Sequence, residues 1–108
     1  MEFIRKQKIE EYQEEGRVLM IYGPRRIGKT TMAKRYLESL DKGIKYKYDV
    51  GDDLALRQLF NNQIRKDILD YASPYDVIVI DEAQNISSIG IAIKMIIRQI
   101  GKVASHVN

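Results

Sequence analysis

The chain has no cysteine, which removes any disulfide framework and any thiolate metal site and fits a reducing compartment. It has only two prolines, Pro24 and Pro74, and no Pro/Gly-rich linker, internal repeat or low-complexity stretch divides its 108 residues, so one domain at most is expected. Long apolar runs are missing too. The two strongest, Val18–Tyr22 and Val77–Ile80, have the length of a strand and cannot cross a bilayer. The opening MEFIRKQKIEEYQEE is too charged for a signal peptide, so no membrane partner and a cytoplasmic location are expected. A net charge of +3 permits contact with nucleic acid, but basic residues are scattered among acidic ones and no dense basic tract stands out.

What is present is a 44% hydrophobic chain, enough for a core, with helix-like and strand-like segments in alternation. That pattern predicts an α/β fold with a parallel sheet. Residues 1–15 read as an imperfect amphipathic helix packing on the domain, ended by Gly16. Val18–Tyr22 and Val77–Ile80 are apolar without alternation, as expected of strands covered on both faces. Met32, Ala33, Tyr36, Leu37 and Leu40 recur at helical spacing, with Gly43 as the stop. Ile44–Tyr48 alternates with lysine and is expected at a sheet edge. Asp52 or Asp53 caps a helix carrying Leu56, Leu59, Phe60, Ile64 and Ile68, bent at Asn61-Asn62 and broken by Ser73-Pro74. A last helix from about Ser88 to Ile100 is apolar nearly all round and expected to be buried.

Chemistry concentrates in two places. Gly23-Pro24-Arg25-Arg26-Ile27-Gly28-Lys29-Thr30 satisfies G-x-x-x-x-G-K-[ST], the phosphate-binding loop. Wrapping a phosphate with inward-pointing N–H groups requires dihedral angles and close approaches that glycine tolerates. The helix starting at Lys29 aims its positive end at the same group. Lys29 is expected to reach the β- and γ-phosphates, Thr30 to offer its hydroxyl to Mg²⁺, and Thr31 to bind the α-phosphate. The second place is Asp81-Glu82, closing the apolar run Val77–Ile80. An acid at the carboxyl end of a buried strand faces the crevice where α/β sheets bind ligands. Asp81 is expected to hold Mg²⁺ through water and Glu82 to orient and deprotonate an attacking water; the bland alternative for the pair is a helix cap or solvated turn.

GPRRIGKTT joined to VIVIDEAQ resembles the prokaryotic AAA-type ATPases whose phosphate loop (Walker A) reads GPRR-[IV]-GKT and whose acidic strand (Walker B) ends in DEAQ or DEIQ. The segment Ile91-Ala92-Ile93-Lys94 after DEAQ is similar as well, and the likeness spans almost the whole chain. The resemblance implies ATP and Mg²⁺ as ligands and a P-loop NTPase fold of the additional-strand type. In that type the order is 5-1-4-3-2, with a fourth strand between the loop-bearing strand and the acidic strand. Five βα units of roughly 30 residues each do not fit here. The expectation is therefore a partial domain over residues 1–108, with three to four strands and no second sensor or arginine finger. Residues 103–107 are the candidate remnant of strand four, with Ser105 near the sensor place. Open sheet edges then favour self-association.

Two readings compete: an ATPase core driving conformational change in attached or partner domains, and a nucleotide-binding fragment without significant hydrolysis. Phosphoryl transfer to a small acceptor is a third, but no lid with arginines follows Asp81. Arg25 and Arg26 stay open between solvation and contact with phosphate, nucleic acid or a neighbouring subunit. Gln84 is open between γ-phosphate contact and loop capping, and Asp49 between a turn role and a place near Glu82. His106 reads as a tail residue.

Overall fold

The computed structural model describes residues 18–23, 34–35, 37–40, 42–99 and 101–106, the last group for their backbone. The N-terminal helix expected over 1–15 lies outside the described residues, as do positions 24–30 of the phosphate-binding motif and Thr31 after it.

Four strands, β1 (Val18–Gly23), β2 (Tyr46–Val50), β3 (Val77–Asp81) and β4 (Gly101–His106), form one sheet in the order β2-β3-β1-β4. Every neighbouring pair is parallel. The two fully apolar runs, β1 and β3, take the centre, where a strand is covered on both faces and bonded on both sides. The lysine-bearing β2 is at the edge, as its alternation predicts, although it runs two residues later than expected.

The α/β class, the parallel sheet and the number of strands match expectation. The order does not. No strand lies between β1 and β3, which pair directly, and β4 joins the far side of β1. A central position rewards an unbroken apolar run, and Gly101–His106 has only Val103 and Ala104 to offer, so the additional-strand order gives way to one with this segment at an edge. Its register also slips between Leu19 and Met20 of β1.

Handedness accounts for the layers. The connection from β1 to β2 moves one way across the sheet, and those from β2 to β3 and β3 to β4 move the other way. Right-handed crossovers therefore place the first connection on one face and the other two on the opposite face. On the first face, Leu37, in a helical stretch at 37–38, and Leu40 just after it pack with Leu19, Ile21, Ile44, Val77 and Val79. On the second, α1 (Leu54–Asn61), α2 (Arg65–Ala72) and α3 (Ile89–Gln99) cover Val18, Met20, Ile78 and Ile80 through Leu56, Phe60, Ile68, Ala92, Ile93 and Ile96.

The expected bent helix is two helices. Asp53 caps α1, its Oδ1 accepting from the amides of Ala55 and Leu56 at 2.9 and 3.3 Å. The stop comes at Asn62 and at Gln63, whose φ of 56° is left-handed. The freed Asn61 side chain then accepts from the Ser88 amide at 3.0 Å and the Ser87 hydroxyl at 3.1 Å, holding the turn into α3. That last helix is buried along one side only. Ile91 is 46% exposed, because a single sheet face can cover a single stripe of the helix.

Candidate functional site

Parallel strands end together, and here the register aligns Gly23 of β1, Asp81 of β3 and Val50 of β2 in one row. Adjacent strands lie about 4.8 Å apart, so the first glycine of the phosphate-binding motif and the acidic residue that the sequence singled out are next-door neighbours. The chain leaves β1 toward one face of the sheet and leaves β3 toward the other. The β1/β3 boundary is thus the topological switch point, and in open α/β sheets ligands bind beyond the strands' carboxyl ends at such a point.

Asp81 is buried at 8% exposure, and its carboxylate is held on both oxygens. The Glu82 amide donates to Oδ1 at 3.0 Å and the Tyr48 hydroxyl donates to Oδ2 at 2.7 Å. Tyr48 reaches it from β2, where it pairs with Val79 on the same sheet face, and the Lys34 ammonium sits 5.2 Å from the centre of its ring. Among the described residues no group of three or more His, Cys, Asp or Glu side chains comes together as a metal cage. A single well-oriented carboxylate suits Mg²⁺, which keeps several waters and binds through one or two carboxylates plus phosphate oxygens. Asp81 fits that group; Thr30, the other expected ligand, lies outside the described residues with Pro24, Arg25, Arg26, Ile27, Gly28, Lys29 and Thr31.

Glu82 takes a left-handed conformation, φ 53° and ψ 40°, and leads into a short 3₁₀ turn, Ala83–Asn85. A non-glycine residue there costs about 1–3 kcal/mol and persists only where its surroundings over-determine it. Those surroundings are visible. The Gly51 amide donates to the Asp81 carbonyl at 2.7 Å, and Gly51 lies so close that an added Cβ would stand 2.1 Å from the Glu82 carbonyl oxygen. Beyond the turn, Asn85 donates from Nδ2 to Asp52 at 2.5 Å. The segment after β3 is therefore tied to the β2–α1 loop and, through Asn61, to the end of α1.

Other candidates separate from the site. Asp49 points to the opposite sheet face, where it accepts from the Tyr71 hydroxyl at 2.5 Å and has Lys47 at 3.9 Å; its role is neither a turn nor a partnership with Glu82. Gln84 is exposed on the 3₁₀ turn. The backbone of Ser105 pairs with Ile21 on the side of β1 away from β3, so the sensor place expected between these strands is not where it lies. His106 ends β4 beside Tyr22 and is part of the sheet rather than a tail. Sequence reasoning passed over Tyr48 and Gly51, although a glycine directly after an edge strand is a signal of close backbone approach.

A family model described as an AAA domain matches residues 15–106. Among curated proteins and among solved structures, none matches the chain.

Proposed function

The chain belongs to the AAA domain family, and from that premise we propose that it binds ATP with Mg²⁺ in the β1/β3 crevice and hydrolyses it to drive conformational change in attached or partner domains. The family supports a nucleotide-binding, ATPase-type protein. One observation carries the finer reading, the register match of Gly23 with Asp81, which brings the start of the phosphate-binding motif beside the acidic strand end.

In this reading the backbone N–H groups of the 23–30 loop, Pro24 having none, wrap the polyphosphate, Lys29 neutralises its β- and γ-oxygens, and Thr31 holds the α-phosphate. Thr30 and Asp81 are the residues that would hold the cation, which would supply positive charge against the phosphates. Glu82, adjoining Asp81 and half-buried in its strained turn, accepts the proton of the attacking water at its carboxylate. Domain extent over 1–108 and self-association through the outer strands β2 and β4 belong to the same proposal.

Calorimetry with ATP·Mg²⁺ and phosphate release together test it. Lys29→Ala should lose ATP affinity by at least about tenfold. Glu82→Gln should keep affinity while turnover falls by about 10²-fold or more, the usual contribution of a general base. Equal ATP affinity in the parent and Lys29→Ala would end the assignment. Tight binding with no phosphate release from the parent would select the non-hydrolysing module instead.

A further inference from the structure

Each oxygen of the Asp81 carboxylate has about two acceptor sites. Each oxygen accepts from the protein: Oδ1 from the Glu82 amide at 3.0 Å and Oδ2 from the Tyr48 hydroxyl at 2.7 Å. Two donors on two different oxygens fix the carboxylate's rotation about its Cβ–Cγ bond. The amide is invariant to sequence; the hydroxyl is a side-chain choice. We propose that Tyr48 is a positioning residue that sets how well Asp81 engages the divalent cation of a bound nucleotide. This rests on the function proposed above.

The fold favours this assignment over a merely structural hydroxyl. Tyr48 pairs with Val79, one pleat before Asp81 on the same sheet face, and a tyrosine is long enough to reach that diagonal neighbour across parallel strands. Its ring packs beside the Leu19, Ile21, Leu37 and Val79 cluster, so its χ angles are constrained by apolar contact before the hydroxyl reaches its acceptor. The Lys34 ammonium, from the stretch that follows the phosphate-binding motif, also sits over the ring, 5.2 Å from its centre. Tyr48 therefore links that stretch, the edge strand and the acidic strand at one point. Tyr46, two residues earlier on the same face, is 41% exposed and has no such reach.

The test measures ATP affinity by calorimetry across a Mg²⁺ series and in excess EDTA, for the parent, Tyr48→Phe and Tyr46→Phe. Removing a partner that orients a metal-binding carboxylate commonly costs 10–100-fold in metal affinity. Tyr48→Phe should raise the half-saturating Mg²⁺ concentration by about tenfold while affinity for metal-free ATP stays within twofold. Tyr46→Phe should leave both unchanged. In an Asp81→Asn background, Tyr48→Phe should shift the Mg²⁺ dependence no further, because the two changes act through one group. An unchanged Mg²⁺ midpoint in Tyr48→Phe overturns the inference alone. So does an equal loss of affinity with and without Mg²⁺, which reports general damage to the fold. A parent whose ATP affinity gains nothing from Mg²⁺ sinks the proposed function and this inference together.

Discussion

A methyl group at position 51 would meet the Glu82 carbonyl oxygen at 2.1 Å, and the atom in the way is backbone, which cannot swing aside. Gly51→Ala must therefore push β2 and the Asp81-Glu82 turn apart. We expect a loss of about 1–3 kcal/mol in urea unfolding, the range of overpacking, accompanied by a fall in phosphate release. A stability change under about 0.5 kcal/mol, within ordinary surface-substitution scatter, would show that the turn relaxes freely. At this scale the sequence was partly legible. Asp81 stood out because an acid ends an apolar strand, and Asp53 because it precedes a helical pattern. Tyr48 and Gly51 did not, since what makes each matter is a residue more than thirty positions away brought alongside by strand pairing.

Between elements, α2 is joined to β2 by the Tyr71–Asp49 bond, with Tyr71 also meeting Phe60 of α1 edge-on at 5.4 Å between ring centres. Burial pushes the Tyr71 hydroxyl well above the ordinary tyrosine range, and the hydrogen bond to Asp49 and that carboxylate's charge push it the same way. The raised value favours the neutral phenol in the native state. Its contribution to stability is thus complete below the unfolded-chain value of about 10 and is lost as pH climbs above it. Tyr71→Phe should be less stable than the parent by about 1 kcal/mol at pH 7. The gap should narrow above about pH 10, where only the parent carries this liability. Urea midpoints at pH 7, 9 and 10.5 read the difference; a gap that widens with pH would contradict it. The strands and their burial, and a bend at Asn61-Asn62, were foreseeable from local pattern, whereas the hold of Asn61 on the Ser87-Ser88 turn was not.

For the whole molecule, binding at a switch point couples ligand to fold. The two sides of the proposed site belong to the two central strands, so a nucleotide held there would bridge the sheet's middle. Ligand at about 100 times its Kd stabilises a native state by about 2.7 kcal/mol. For a chain of this size that raises Tm by roughly 10 °C or more. ATP·Mg²⁺ should produce such a rise in a thermal melt of the parent and none in Lys29→Ala. A parent melt indifferent to ATP·Mg²⁺ would contradict the site's placement.

Residue order alone determined the α/β class, the central place of the two apolar runs and the edge place of the lysine-bearing strand. Each of these follows from local composition and period, which no distant contact has to complete. Tertiary structure decided the strand order, and with it the direct pairing of β1 with β3 and the exile of β4 to the far edge. It also decided the company that Asp81 keeps. Those outcomes depend on which strand competes best for a position covered on both faces and bonded on both sides, a comparison among segments that no single segment contains.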